Sequence, residues 1–400
     1  MGTSSGAGKG RGRDQTIDGR LRVAIATQYP VDPERPRGGV EAVSVSLVRS
    51  LARLEDLDVE VVTVDPEARA PSRALVDGVT IHRLPRRARK LLLDAAGPGG
   101  RQVRSCLAAL RPHVVHSHDI YGMMVGSLAL PRVFTIHGFI HADTLVSGER
   151  FARVRSWVWR MLETRSWALH DHIVAISPYV RERLSGRVKG RIHDIENPIA
   201  ERFFALPRQE TAGTIFSAAS IERRKNTLAL VECTARLRAM GVDVRLRLAG
   251  AVREPDYGRM VAERIVTAGL SDRVELLGAL PSAAVMEELS RASAFVLVSL
   301  EENAPMGIAE AMAVGLPIVA SDRCGMPYMV REGVSGYLVD PLNVQEVADR
   351  LAKLLHDPSL RHRMGEAGQV FARERFHPDV VACRTREVYR RAAGTGHAEP

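Results

Sequence analysis

Apolar residues recur along the chain in two alternating rhythms. Short β-branched runs read as strands: LRVAIATQ at 21–28, DVEVVTV at 58–64 and VTIHRL at 79–84. Between the first two, GGVEAVSVSLVRSLARL at 38–54 repeats its apolar positions at helical spacing. Three further strand-like runs, PHVVHSH, RVFTIHG and DHIVAIS, are each followed by a helical stretch, the longest being a basic one over 150–169. The rhythm then restarts. GTIFSAAS, VRLRLAG, RVELLGA, AFVLVS, LPIVAS and SGYLVD predict strands, with helices at 226–240, 256–268, 283–291 and 307–314 and two more over 358–375 and 378–393. Strand and helix alternating in this way predict parallel sheets covered on both faces, an α/β class.

The restart follows NPIAERFFALPRQETAG at 197–213, whose two prolines, few β-branched residues and final glycine mark a linker. The expected organisation is two doubly wound, Rossmann-like domains, 21–198 and 199–377, facing a central cleft. The last helix, 378–394, either closes the second domain or crosses to the first. A length of 400 residues suits two domains of ordinary size, and 45% hydrophobic with 26% charged residues suits two packed cores. Residues 1–20 have no hydrophobic stretch and read as a disordered basic tail. Their GAGKG lacks the glycine five residues before Gly8, and Gly10 rather than Ser or Thr follows Lys9, so it is no phosphate loop.

Charge and composition narrow the partners. The net charge of +9 favours an anionic partner, while only 5% aromatic residues argue against a base-stacking nucleic-acid groove. Cys106, Cys233, Cys324 and Cys383 stand far apart with no CxxC pair, which disfavours a zinc knot or disulfides and points to a cytoplasmic protein. No apolar run reaches the length of a membrane span. Two stretches, Arg86-Arg87-Ala88-Arg89-Lys90 beside LLL and RFARVRSWVWRMLETRSW at 150–167, combine positive charge with apolar residues. They suit an anionic membrane surface on the inner face, or equally a solvated helix face with Trp157 or Trp159 packed inward.

Ligands of open parallel sheets collect at the carboxyl ends of the strands, so the residues there carry the chemistry. Gly38-Gly39 precede a helix whose free N–H groups favour an anion. His137 follows the strand VFTI, with His116, His118 and Asp119 one strand earlier and His141 just beyond. They suit hydroxyl or phosphate contact or proton transfer, and Asp119 serves as readily as a helix cap. Arg223, Arg224 and Lys225 stand where a helix is expected to begin, an unfavourable place for cations unless an anion lies between. Glu302 and Glu310 flank the next helix start, after the strand AFVLVS. Pairs of acids there serve catalysis, hydroxyl recognition, or simply the helix dipole.

The block EENAPMGIAEAMAVGLPIVAS at 301–321 resembles the E-x7-E signature of retaining, nucleotide-sugar-dependent glycosyltransferases of family 4, which have the GT-B fold. Supporting matches run in order: GGVE at 38–41, TIHG at 135–138, AIS at 175–177, ENP at 196–198, RKN at 224–226, LAG at 248–250 and SGYLV at 335–339. The resemblance covers about residues 21–394. It implies hexosyl transfer from a UDP-, GDP- or ADP-sugar to a hydroxyl acceptor such as a glycan, glycolipid or small metabolite, with retention and without a metal or other cofactor. The first domain would bind the acceptor and the second the donor. Glu310 would accept the ribose hydroxyls and Glu302 would sit beside the donor sugar. Backbone N–H groups over Asn303, Ala304, Met306, Gly307 and Ile308 would hold sugar and pyrophosphate. Lys225 with Arg224 would neutralise the leaving diphosphate, Gly39 would let it approach, and His137 would face the reacting sugar. Three positions depart from the pattern: Ser220 stands for an arginine that Arg223 or Arg224 would replace, Tyr328 for a glutamate, and Asn197-Pro198 for Asn-Gly. A GT-B-like sugar-nucleotide epimerase and a non-catalytic nucleotide-sugar-binding protein remain as alternatives. A nicotinamide dehydrogenase fits worse, because no GxGxxG follows a strand.

Overall fold

The structure is a computed structural model that describes residues 19–88, 91–126, 128–146 and 151–394. Residues 1–18 of the expected tail, and Arg89 and Lys90 of the basic run, lie outside the described residues.

The first half opens with β1 (Leu21–Ala26), α1 (Gly39–Ala52), β2 (Leu57–Asp65), β3 (Ser72–Val76) and β4 (Val79–Pro85). It continues through α2 (Leu91–Ala96), α3 (Pro98–Leu110), β5 (Val114–His118), α4 (Ile120–Val125) and β6 (Arg132–Ile136). It closes with α5 (Ile140–Val146), α6 (Ala152–Trp167), β7 (His172–Ala175), α7 (Pro178–Leu184) and β8 (Arg191–Asp194). The eight strands form one sheet in the order β3-β4-β2-β1-β5-β6-β7-β8, parallel except for β3. β1 and β5 lie at its centre, and β5 is buried along its whole length, so its side chains His116 and His118 are enclosed.

The second half runs β9 (Thr214–Ala218), α8 (Thr227–Ala239), β10 (Arg245–Ala249), α9 (Pro255–Thr267), β11 (Val274–Gly278), α10 (Ser282–Arg291) and β12 (Ala294–Leu297). Then come α11 (Met306–Val314), β13 (Ile318–Ser321), β14 (Gly336–Val339), α12 (Val344–His356), α13 (Pro358–Phe376) and α14 (Pro378–Ala392). Its all-parallel sheet has the order β11-β10-β9-β12-β13-β14. In both sheets the strand order reverses beside the first strand of the half, β1 or β9, the crevice where doubly wound folds bind ligands.

Several expectations need adjustment. Residues 197–213 are not a free linker: Ile199, Phe203 and Phe204 pack into the core of the second half, and the Ile199 N–H donates to the Phe376 carbonyl at 3.0 Å. β3 and β8 were not expected from the pattern. Arg223–Lys225 form a single 3-10 turn, and α8 begins only at Thr227. The final helix, α14, lies on the first half: Val381, Ala382, Val388 and Tyr389 join the core formed by β1, α1 and β2. The Tyr389 hydroxyl hydrogen-bonds His116 Nδ1 at 2.7 Å.

Local sequence explains the element that matters most. α11 starts behind Pro305, which restricts the preceding chain to extended backbone. It ends at Gly315, whose φ of +84° is the left-handed geometry of a helix stop. The helix is built of small residues because α13 presses on it: a Cβ at Gly365 would lie 2.1 Å from the Gly315 carbonyl oxygen. Ile308, Ala309 and Ala311 through Val314 are all buried, which fixes the helix start at the mouth of the cleft.

Candidate active site

A cavity of about 440 Å³ lies between the carboxyl edges of the two sheets. From the first half, α1 contributes Gly39, and the segment after β6 contributes His137. From the second half come Arg224, Lys225, Glu302 and the start of α11. Nine of the eleven residues expected at the site line this one space. The exceptions are Ile308, which packs into the core of the second half, and Glu310, which faces an adjoining cavity of about 200 Å³; Met306 borders both.

Glu302 is the hub. It is only 9% exposed, and its carboxylate is paired with Lys225 Nζ and, at 3.4 Å, with Arg224 Nη1. Arg224 also donates to the Glu301 carbonyl at 2.7 Å and to Glu222 at 3.1 Å, which holds its guanidinium at the cavity wall. Arg223 turns the other way, toward Glu254 and the Tyr257 ring. Arg224, not Arg223, is therefore the arginine that stands near Ser220, whose hydroxyl donates to Glu222 at 3.0 Å. The cations expected to oppose the helix dipole are compensated by carboxylates, and Glu302 is the anion that Lys225 and Arg224 share.

The 302–305 loop is held from both sides. The Gly325 N–H donates to the Glu302 carbonyl at 2.8 Å, and a Cβ there would lie 1.7 Å from the Asn303 carbonyl oxygen, so only glycine fits. The preceding Cys324 takes a φ of +57°, a position that suits glycine better. Across the cleft Ser177 Oγ donates to the Asn303 carbonyl at 2.8 Å, and the Asn303 side-chain amide donates to the His137 carbonyl at 3.2 Å. Tyr328 also reaches across, donating its hydroxyl to Glu182 at 2.8 Å. Gly39 opens α1, and a Cβ there would point toward Met306 Cγ at 3.7 Å, so the missing side chain leaves room at a helix N-terminus.

His137 is set by a relay of buried groups. Its backbone N–H donates to Asp119 at 2.9 Å, and its ring Nε2 shares a hydrogen bond with His118 Nδ1 at 2.9 Å. His116 lies behind, held between Tyr389 and Thr135. Burial holds the imidazoles of His137 and His118 below the ordinary histidine range and pushes His116 down to about 3, so all three are neutral at pH 7. Burial raises the Asp119 carboxyl, which accepts the His137 N–H instead of capping α4. His141 is outside the cleft, buried against Glu163 at 2.7 Å. Among the described residues no three His, Cys, Asp or Glu side chains converge as a metal site.

Glu310 makes no hydrogen bond or ion pair with any described residue. Burial pushes its carboxyl up to about 7, with the Arg202 charge pulling the other way. Arg202 covers the same cavity, bound to Glu34 of the first half at 2.5 Å and to Ser282 at 2.9 Å. A carboxyl without partners beside a cavity has its oxygens open to hydrogen-bond donors.

Two doubly wound domains whose strand ends face each other across this cation-lined cleft have the GT-B architecture. Residues 37–202 match the family described as Glycosyltransferase Family 4, and residues 198–371 match Glycosyl transferases group 1. The chain belongs to glycosyltransferase family 4. It is 28% identical to the alpha-maltose-1-phosphate synthase of Mycolicibacterium smegmatis, over 93% of this chain and 100% of that one. Its fold is similar to the sucrose-phosphate synthase of Thermosynechococcus elongatus, with a TM-score of 0.79 and 20% identity over 94% of this chain and 100% of that one. Anabaena HepE, solved in complex with UDP and glucose, superposes with a TM-score of 0.69 at 16% identity, over 92% of this chain and 99% of that one. Matches to several other curated relatives are local, and the chain spans about a third of their length, between 27% and 35%. The resemblance carried by the E-x7-E block and the expectation of a GT-B fold both hold.

Proposed function

We propose that the protein transfers a sugar from a nucleotide-sugar donor to a hydroxyl acceptor with retention of configuration, using protein cations rather than a metal. The observation that supports this best is the convergence of Lys225, Arg224 and Glu302 on a cavity shared with Gly39 and His137. Breaking an anomeric C–O bond places growing negative charge on the departing diphosphate. Fixed positive groups aimed at that charge are the largest lever a protein has there. Lys225, Arg224 and the N-termini of α1 and α11 are placed to supply it. Donor arrival transfers Lys225 from Glu302 to the diphosphate, and Glu302 then turns to the donor sugar. Glu310 takes the ribose hydroxyls. The neutral His137 faces the sugar and acceptor, and the leaving phosphate helps remove the acceptor proton on the same face.

A thermal-shift screen of UDP-, GDP- and ADP-sugars tests the donor, because a ligand that binds the folded state alone stabilises it in proportion to occupancy. UDP-sugars are expected to give the largest shift, in line with the UDP complex of the Anabaena structure. Incubation with donor alone distinguishes transfer from epimerisation: an unchanged donor that turns over once an alcohol is added supports transfer, and a changed donor sugar refutes it.

We also propose an anionic lipid surface as a partner. No helix among the described residues is long and apolar enough to cross a membrane. On α6, however, Val154 (61% exposed) and Trp157 (60%) share a face with Met161, next to Phe151 (66%). Exposed Arg153, Arg155 and Arg160 flank that face, while Trp159 packs inward. Vesicles rich in anionic lipid are expected to sediment the protein at low salt. A combined Phe151→Ala and Trp157→Ala variant should lose most of this binding. Equal sedimentation of the variant and the parent would remove the idea.

A further inference from the structure

A separate cavity of about 200 Å³ opens at the carboxyl edge of the first sheet, walled by the loop after β1, the ends of β2 and β4, and the start of α4. Arg83, the fifth residue of β4, lines it and is 8% exposed. Its two terminal nitrogens donate to the carbonyl oxygens of Tyr29 at 3.1 Å and Pro30 at 2.5 Å. Carbonyls take up two of its five N–H groups but leave the charge uncompensated, and no carboxylate among the described residues forms an ion pair with it. Buried cations are ordinarily paired, because desolvation of a lone charge is costly. Arg86 stands at the exposed rim of the same cavity, its guanidinium without a hydrogen bond or ion pair to any described residue.

The acids in the wall form no ion pair with these two arginines. Glu41 accepts the Arg37 N–H at 2.6 Å, and Asp65 accepts the Glu67 N–H at 2.8 Å. Each is engaged by its own loop. The third arginine of the wall, Arg37, is already bound to Glu67 at 3.2 Å. The cavity therefore offers one buried and one exposed cation to a ligand. The Tyr121 hydroxyl also borders it, accepting the Val64 N–H at 2.8 Å. Its place is informative. Arg37 and Glu41 line this cavity, while Gly39, between them in sequence, lines the cleft, so one short segment of chain separates the two spaces.

We infer that this cavity binds an anionic group, a phosphate or a carboxylate, carried by the acceptor a few bonds from the hydroxyl that receives the sugar. The inference rests on the reading of the cleft as a sugar-transfer site. Arg83 holds the buried side of the anion and Arg86 closes on it from the rim. The acceptor is a small charged sugar or polyol, and its charge is what registers its hydroxyl in the cleft.

Matched acceptors test this with the full-length protein and the donor found by thermal shift: glucose, glucose 6-phosphate and glucuronate; glycerol and glycerol 3-phosphate; inositol and an inositol phosphate. A charged member is expected to show a KM at least about tenfold below its neutral counterpart, and the phosphate and carboxylate members tell the two anions apart. Arg86→Glu, at an exposed position, should raise that KM at least about tenfold while donor affinity and any neutral-acceptor KM stay within about twofold. Arg83→Lys keeps the charge and, if it folds, should fall between the two. Calorimetry with inorganic phosphate, in the presence of saturating UDP so that the donor site is filled, should show binding that Arg86→Glu weakens about tenfold. Equal use of charged and neutral acceptors, or an Arg86→Glu effect of the same size on both, overturns the inference while leaving the transferase reading intact. If no nucleotide sugar binds, the transferase reading fails instead, and the phosphate titration without UDP still decides whether Arg83 and Arg86 form an anion site.

Discussion

Lys225→Ala is expected to lower turnover by about 10²- to 10³-fold while changing donor affinity much less. The size is that of removing one preorganised charge partner from a developing anion. The asymmetry follows from when the charge is needed. The donor diphosphate is already anionic when it binds, with Arg224 and the helix N-termini still present to meet it. Additional charge accumulates only as the anomeric bond breaks, and an interaction that strengthens at that stage acts on kcat. The variant also carries a signature in the empty protein. Lys225 and Glu302 are mutually paired and enclosed, so losing the amine leaves Glu302 with Arg224 alone at 3.4 Å. Breaking an enclosed pair from one side costs about 3–5 kcal/mol at the upper end. The melting temperature of the empty variant should fall, and a bound nucleoside diphosphate should restore less of it than in the parent. Lys225→Arg should retain part of the activity. Unchanged steady-state turnover in Lys225→Ala would remove this residue from the mechanism.

Glu310→Gln should stabilise the empty protein at pH 8 and yet weaken donor binding by about 10- to 100-fold, the range for hydrogen bonds to a charged group. The folded carboxyl titrates at about 7, above its ordinary value of 4.5. Between these values the folded state holds a proton that the unfolded chain has released, so stability falls as pH rises through the window and levels off above it. At about 1.4 kcal/mol per pH unit the full loss is about 3 kcal/mol. Glutamine has no such slope. The two proteins should melt alike below pH 4.5 and diverge above it, with the variant the more stable. Ribose hydroxyls donating to Glu310 favour its charged form, so donor affinity should increase from pH 6 to pH 8. Binding near pH 7 should also release a proton, seen as a buffer-dependent heat in calorimetry. A donor affinity flat across that range would mean that Glu310 does not hold the ribose.

Much of this site is visible in the chain before any coordinates. Strand ends are legible because parallel strands buried on both faces are unbroken apolar runs, and whatever follows them lies at the carboxyl edge. The helix start after Pro305 is legible for the same reason. What the pattern misses are pairings set by tertiary approach. Lys225 meets Glu302 across 77 positions, and nothing local distinguishes it from Arg223, which turns outward. Glu302 and Glu310 look like a couple in sequence, yet the turn into α11 aims them into adjoining cavities. β3 escaped because its five residues, SRALV, are mostly exposed and carry no apolar alternation. Arg83 did leave a signal: it shares the inward period of Val79 and Ile81, and a cation on that face is an anomaly.

The return of α14 to the first half bears on how the protein is made. During synthesis β1 through β8 leave the ribosome long before residues 378–392, yet Val381, Val388 and Tyr389 complete the core around β1 and α1. The amino-terminal domain therefore waits, with that apolar face uncovered, until α14 has been translated. A chain that stops after α13 keeps every residue of the cleft, but leaves His116 without the Tyr389 hydroxyl and α1 without its cover. Emergence of α14, rather than of β1 through β8 alone, is then the moment when the first half can finish folding.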